Sequence, residues 1–347
     1  MRKLSVTVVG AGNIGQTEHM PAYQKLKDLV EVVAIVDINL QRARESATKY
    51  GVPKAYDSID ALLADGVTDI VDVCTWNVAH EDVAVKAMRA GAAVICEKPL
   101  AHTLESATRI QQVVQETGRP FMMAMVSRFR AEIQMLHEMI KAGELGEIYY
   151  AKTGYIRRRG TPIGWFTDRA KSGGGALIDI GVHNIDSAWY LMGCPKPVRV
   201  SGKTANLIGN FKTRGVSRWE ALDRGDGTFD TEDSAVGIIY FENGATLFVE
   251  ASWAINGLAS NYTHIYGSKG GASLNPIVIY SENQQGYLVD LAPQLERESR
   301  FESELRHFAQ CVLSGESPMI TIDQGITVQK MIDGIYRSAL EDREIEL

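Results

Sequence analysis

Leu4-Ser5-Val6-Thr7-Val8-Val9-Gly10-Ala11-Gly12-Asn13-Ile14-Gly15 decides the fold class. Its first six residues are mostly β-branched and read as a buried strand. They run into a G-x-G-x-x-G turn, and a helical pattern follows to about Leu29. Glu31–Asp37 is then a second strand ending in an acid, 22 residues after Gly15. Strand, glycine turn, helix, strand and acid in that order form a dinucleotide-binding arrangement. Gly10 allows the tight turn, Gly12 lets the backbone approach a pyrophosphate, and Gly15 lets the helix pack on the sheet. Free N–H groups at the helix start, around Asn13 and Ile14, face the phosphates. Asp37 suits the ribose hydroxyls of NAD and repels the 2′-phosphate of NADP, so NAD is expected over NADP. The plainer reading of Asp37 is a turn residue at a strand end.

Outward from this unit the alternation continues. Asn39–Tyr50 reads as a helix, Asp69–Thr75 as a strand, Val78–Ala90 as a helix and Ala93–Cys96 as a strand. Thr103–Thr117 is a helix capped by Thr103, and Phe121–Met125 a last strand. Such alternation implies right-handed crossovers and a parallel sheet. From Gly146 the pattern changes. Ile148–Arg159 and Val198–Ala205 read as strands, and Asn243-Gly244 joins Asp233–Phe241 to Ala245–Ala254 as a hairpin. Alternation puts Leu247, Val249, Ala251 and Trp253 on one face. Asp323–Glu341 carries a helical apolar stripe that packs on the core. At roughly 100–200 residues per domain, the 347 residues divide into two. A Rossmann domain is expected at 1–125, and a substrate-binding, oligomerising α+β domain on a mostly antiparallel open sheet at 126–347.

Composition excludes other classes. With 45% apolar and 23% charged residues, the chain is neither disordered nor a disulfide-stapled miniprotein. Its net charge of −7 repels a phosphate backbone, which argues against nucleic acid as a partner. Cys74, Cys96, Cys194 and Cys311 form no C-x-x-C pair and read as reduced thiols of a cytoplasmic protein. No apolar run approaches a transmembrane span, and no metal-ligand spacing is evident.

Two further stretches carry chemistry. Glu97-Lys98-Pro99 follows the strand Ala93–Cys96, and ligands bind at the carboxyl ends of parallel strands. Lys98 is therefore placed on the cofactor side, although Glu97-Lys98 alone also reads as a surface ion pair. Then comes Gly173-Gly174-Gly175-Ala176-Leu177-Ile178-Asp179-Ile180-Gly181-Val182-His183. The glycines permit close approach of the backbone to a ligand or another strand. Asp179 and His183 are i and i+4, on one face of a helix. There the carboxylate is expected to orient the imidazole and favour its protonated form. A capping aspartate with a core histidine is the alternative.

Taken together these stretches resemble the Gfo/Idh/MocA family of NAD(P)-dependent oxidoreductases, which includes inositol dehydrogenases and glucose–fructose oxidoreductase. The resemblance covers the glycine loop, Thr75–His80, Glu97-Lys98-Pro99, Gly173–His183 and Phe301–Leu347. It implies Lys98, Asp179 and His183 as catalytic residues. His183 would take a hydroxyl proton, a hydride would pass to the nicotinamide, Lys98 would stabilise the alkoxide, and Asp179 would position His183. It implies cofactor contacts at Thr75, Trp76, Asn77, His80, Glu97 and Lys98. Relatives commonly have proline where Trp76 stands, so Trp76 either stacks near the cofactor or packs on the next helix. His80 belongs to the cofactor pocket or the scaffold, and His19 packs the first helix.

For the substrate side, Tyr155, Arg157 and Arg159 share a strand face, a charged sheet surface or a hydroxyl- or carboxylate-binding edge. By resemblance Trp165 is a pocket wall that suits a sugar ring, and Arg128 is another candidate, beside Lys98, Asp179 and His183. Asn206–Asp230, a polar segment carrying Trp219, is expected to shape access to the site or to reach a neighbouring subunit. An uncovered apolar sheet face implies a homo-oligomer, dimer or tetramer. The expected reaction is hydride transfer between NAD and a secondary hydroxyl of a cyclic polyol or sugar. Inositols and hexopyranosides are the candidates, C3 of a glucoside among the positions open. The alternatives are NAD-dependent glycoside cleavage through transient 3-oxidation and a non-catalytic NAD sensor.

Overall fold

The structure is a computed structural model and describes residues 2–296 and 299–347. Its first sheet has six strands: β1 (Leu4–Val9), β2 (Val30–Val36), β3 (Lys54–Tyr56), β4 (Ile70–Val73), β5 (Ala93–Glu97) and β6 (Phe121–Ala124). Their order is β3-β2-β1-β4-β5-β6, and every pairing is parallel. Chain order reverses between β1 and β4, so a crevice opens beyond their carboxyl ends, where α/β sheets bind ligands. Between the strands run α1 (Met20–Lys25), α2 (Leu40–Tyr50), α3 (Ile59–Asp65), α4 (His80–Ala90) and α5 (Leu104–Thr117). A π-helical turn, Gly15–His19, leads into α1. That helix stops at Lys25, short of the expected Leu29. Asn39, Ser58 and Thr103 cap their helices by accepting a backbone N–H three residues on. β3 and α3 were not anticipated, because three and seven residues are too few to display a period.

Beyond α6 (Ala131–Lys141) the chain builds a second sheet. It comprises β7 (Ile148–Ile156), β8 (Pro197–Ala205), β9 (Ser234–Phe241), β10 (Thr246–Ser252), β11 (Ser260–Gly267), β12 (Gly271–Leu274), β13 (Val278–Glu282), β14 (Leu288–Leu291) and β15 (Ile345–Glu346). The order is β14-β13-β12-β11-β7-β10-β9-β8-β15. All pairs are antiparallel except β7 with β10. β7 ends at Ile156 rather than Arg159. Asn243-Gly244 turns the hairpin of β9 and β10, with Gly244 at φ +84. Leu247, Val249, Ala251 and Trp253 are buried as a set. The remaining helices are α7 (Arg169–Ser172), α8 (Val182–Leu191), α9 (Arg300–Ser314) and α10 (Ile322–Glu341). α8 and α10 cover one sheet face, and α10 also packs on α5 beside the first sheet. Among the described residues no helix is long and apolar enough to cross a membrane.

Arg128 corrects an expectation. The sequence places it among the substrate contacts, whereas it is fully buried away from the cavity described below. Its guanidinium donates to both Asp186 oxygens at 2.6–3.2 Å, to Gln324 Oε1 at 2.8 Å, and lies over the Tyr190 ring. It thus ties the turn after β6 to α8 and α10. Removing one partner leaves a buried charge alone, so Arg128→Met should destabilise the fold by about 3–5 kcal/mol. Urea unfolding measures this, and a change near zero would show that the pair is dispensable.

Candidate active site

One cavity of about 870 Å³ runs from the glycine turn to the second sheet. Gly10, Gly12, Asn13, Ile14, Asp37, Thr75, Trp76, Asn77, Glu97 and Lys98 line it, together with Tyr155, Arg157, Trp165, Asp179 and His183. Gly15, His80 and Arg128 do not. The glycine turn divides its work by available space. Gly10 has φ +106, and a β-carbon there would lie 2.3 Å from the Cys74 carbonyl oxygen. At Gly15 it would lie 2.4 Å from Gly10 O, so Gly15 serves helix packing and not contact with the cavity. At Gly12 nothing lies within 4 Å. This open backbone edge beside a helix start fits a pyrophosphate. Asp37 Oδ2 accepts the Ala11 N–H at 2.9 Å and Oδ1 the Asn39 N–H at 2.8 Å. The carboxylate braces the glycine turn and retains lone pairs for ribose hydroxyls. His80 is sealed beneath the crevice, where its nitrogens meet the carbonyls of Pro99 and Thr75 at 2.9 and 3.2 Å. It joins two loop bases and is not itself a cofactor contact.

Lys98 stands at the tip of β5. Its Nζ donates to Asp179 O at 2.9 Å and to Asp179 Oδ1 at 3.4 Å. The third N–H is left for the cavity. Trp253 Nε1 donates to Asp179 Oδ2 at 2.9 Å. Both carboxylate oxygens are thereby engaged, so Asp179 positions Lys98, not His183 as expected. The expected protonation of His183 is reversed as well. Burial, then the cations Lys98, Arg300 and Arg157, hold its pKa well below the usual imidazole range. Its Nδ1 is buried without a partner among the described residues, so any proton exchanged with the cavity passes through Nε2. Asp179 lies in a π-helical turn, Leu177–Gly181, that precedes α8. Gly181 is selected by packing, since a β-carbon there would lie 3.0 Å from Ala251 Cβ on β10.

Beneath Lys98 lies a buried charged chain. His19 Nδ1 meets Asp72 Oδ2 at 2.8 Å, and Nε2 meets Glu97 Oε1 at 3.0 Å. Glu97 Oε2 accepts the Lys98 backbone N–H at 3.0 Å. Burial alone would lower the His19 pKa, but Asp72 overrides it and holds the ring well above its usual value. Burial alone would raise Glu97, and bonding to His19 holds it low instead. His19 is therefore an imidazolium between two carboxylates, fixing the strand end that bears Lys98. The sequence reading had it only packing the first helix.

Trp76 stacks on Trp165 (centroids 6.3 Å apart), Trp165 on Phe166 (4.0 Å), and Trp219 meets Phe166 edge-on (5.4 Å). Trp76 thus belongs to an aromatic wall of the cavity. Arg157 lies over the Tyr155 ring, whereas Arg159, past the end of β7, turns outward to Asn256 and the Ile255 carbonyl. Several residues went unread in the sequence. Arg300, Phe301, Asn184 and Asn261 line the cavity. Glu232 is buried and accepts from Gly175 N (2.8 Å), Leu177 N (3.0 Å) and Tyr336 Oη (2.8 Å). Of these, Asn184 adjoins His183 and Phe301 opens the resembling stretch Phe301–Leu347, and the others had no sequence signal.

Comparison with known proteins accords with this arrangement. Residues 4–125 match the oxidoreductase family with an NAD-binding Rossmann fold, and residues 133–273 match the GFO/IDH/MocA C-terminal domain. The D-glucoside 3-dehydrogenase of Escherichia coli is 33% identical, over 99% of this chain and 97% of that protein. The scyllo-inositol 2-dehydrogenase (NAD(+)) of Bacillus subtilis is 29% identical, over 93% of this chain and 90% of its own length. Among solved structures, the aldose-aldose oxidoreductase of Caulobacter crescentus superposes with TM-score 0.82 at 26% identity, each chain covered in full.

The charged chain predicts a pH dependence of stability. The folded-state pKa of His19 lies above its unfolded value of about 6.5, so its contribution is complete below that pH and is lost as pH rises toward the folded pKa. Urea unfolding should show the advantage of the native protein over His19→Gln shrinking as pH rises from about 6.5. An advantage that is flat with pH would refute the imidazolium.

Proposed function

This chain belongs to the Gfo/Idh/MocA oxidoreductase family, and we propose that it is an NAD-dependent dehydrogenase acting on a secondary hydroxyl of a hexopyranoside or related cyclic polyol, with C3 of a glucoside as the leading position. One observation carries the reading. Lys98, anchored by Asp179, shares with a neutral His183 the end of a cavity whose other end is a dinucleotide cleft.

Each residue has a defined task in this reading. His183 Nε2 accepts the substrate hydroxyl proton, which a neutral ring can do. The free N–H of Lys98 Nζ donates to the same oxygen and stabilises the alkoxide as it develops. Asp179, held by Trp253, aims Lys98. The aromatic wall of Trp76, Trp165 and Phe166 offers an apolar face to the C–H side of a sugar ring and excludes water. Bound NAD supplies the hydride acceptor, and the cleft of Gly12, Asn13, Ile14 and Asp37 would hold it.

The preference for C3 of a glucoside comes from the relative 33% identical over nearly the whole chain. NAD over NADP rests on Asp37. A division at 125/126 into cofactor and substrate domains, and a cytoplasmic location consistent with four free thiols, belong to the same reading. So does homo-oligomerisation through the helix-free face of the second sheet, where Tyr150 stacks on Tyr266 and meets Phe248 edge-on.

NADH absorbance with NAD and a panel of glucosides, free hexoses and inositols tests the proposal. Turnover is expected with glucosides, falling about 10²–10⁴-fold in His183→Ala and about 10²-fold or more in Lys98→Ala. Both variants should retain the native fold. Strong NAD binding with no turnover on any polyol would sink the assignment.

The same electrostatics set the pH profile. The Lys98 charge depresses the His183 pKa, so Lys98→Met should raise it and move the acid limb of residual kcat to higher pH. An unmoved limb would mean that His183 is not the titrating base.

A further inference from the structure

The segment between β8 and β9 does more than border the substrate. Trp219, Ala221, Leu222 and Asp223 line the same cavity as Asp37. Two backbone bonds fasten this strap to the second sheet's side, Ile163 N to Trp219 O and Ala221 N to Ile163 O, each 2.8 Å. Gly164 lets it lie close, since a β-carbon there would be 2.5 Å from Asp223 O. Two further contacts cross to the nucleotide cleft. Asn13 Oδ1, in the glycine turn, accepts the Leu222 N–H at 3.1 Å. Arg42, near the start of α2, donates from both terminal nitrogens to the two Asp223 carboxylate oxygens at 2.9 and 2.6 Å.

Among the described residues, Arg42 is the cation nearest the ribose acid in this cleft, 3.7 Å from Asp37 Oδ2. An arginine in that neighbourhood is the group that accommodates the 2′-phosphate of NADP. Here its fork is already filled. A bidentate carboxylate takes the same paired donors that a phosphate would use. Both side chains are largely covered, at 16% and 29% exposed, so the pair is not an exchangeable surface contact.

We propose that Asp223 is a determinant of cofactor specificity, reaching across from the substrate side to occupy Arg42 and deny it to the 2′-phosphate of NADP. Discrimination then has two parts. Asp37 repels the phosphate directly, and Asp223 removes the cation that would compensate. The inference rests on the reading of this chain as NAD-selective.

Isothermal titration calorimetry with NAD and with NADP, on the full chain without substrate, tests it. Native protein should bind NAD more tightly. Asp223→Asn, with Asp223→Ala beside it, should shift the affinity ratio toward NADP by about tenfold or more, the scale of a hydrogen-bonded charge pair. Adding Arg42→Ala to Asp223→Asn should abolish that gain. If native protein prefers NAD and the Asp223 variants leave the ratio within about twofold, the role of Asp223 is overturned while the NAD reading stands. A gain that survives loss of Arg42 also overturns it. A native preference for NADP overturns the NAD reading and this inference together.

Discussion

Three β-carbons have no room in this structure, and the active site depends on their absence. At Gly173 one would lie 1.9 Å from the His102 carbonyl oxygen, at Gly174 2.1 Å from Tyr336 Oη, and at Gly175 1.9 Å from the Glu232 carbonyl oxygen. Those neighbours belong to the loop after β5, to α10 and to the approach to β9. The backbone is therefore wedged where the two sheets' layers meet, and even one methyl would force them apart. Only from that position can the next turn bring Asp179 under Lys98 and Trp253. Glu232 completes the wedge by accepting the N–H groups of Gly175 and Leu177, which precede the helix and would otherwise be orphaned.

Two histidines show how burial is turned to opposite ends. His19 is fully buried and His183 is partly buried at the cavity wall, and loss of water by itself opposes charge in both. His19 lies between Asp72 and Glu97, and Asp72 above all reverses the effect. His183 faces Lys98, Arg300 and Arg157, which reinforce it. The first is held as a cation to higher pH than a free imidazole, and it holds Glu97 and hence the backbone of Lys98. The second is kept neutral and open to the cavity, as the base of the proposed reaction must be. Lys98 lies between them, tied to one through its backbone and placed beside the other by its side chain.

Much of this was legible in the sequence, for physical reasons. The parallel sheet could be read because each strand buried on both faces is a continuous apolar run, bounded by glycines and caps that act over a few residues. Gly10, Gly12, Gly15, Lys98 and His183 could be read because strand ends and helix starts have fixed geometric consequences. What failed were inferences about side-chain partners across long separations. Asp179 shares a helical face with His183, yet its carboxylate turns to Lys98, 81 residues earlier, and to Trp253, 74 residues later. Arg128 looked like a pocket residue until Asp186 claimed it, 58 residues away. Glu232 sits in an unremarkable acidic stretch, and only the folded chain shows that it accepts the N–H groups that follow Gly173–Gly174. Periodicity reports which way a residue faces, not which partner will satisfy it.

The cations around His183 depress its pKa and so weaken it as a base. The field acts on both ends of the proton transfer, however. Lys98, Arg157 and Arg300 disfavour imidazolium, but they also stabilise the alkoxide that forms when the substrate hydroxyl loses its proton. Lys98 touches that oxygen directly in the proposed geometry, whereas its effect on His183 acts through space. The hydroxyl is thus acidified more than the base is weakened, and the transfer becomes easier overall. Keeping His183 uncharged has a second effect. The nicotinamide ring is cationic before it accepts hydride, and an imidazolium nearby would oppose its binding. A neutral His183 adds no fourth cation to Lys98, Arg157 and Arg300, of which Asp179 offsets one, so the cavity would oppose a cationic ring less than it would with an imidazolium.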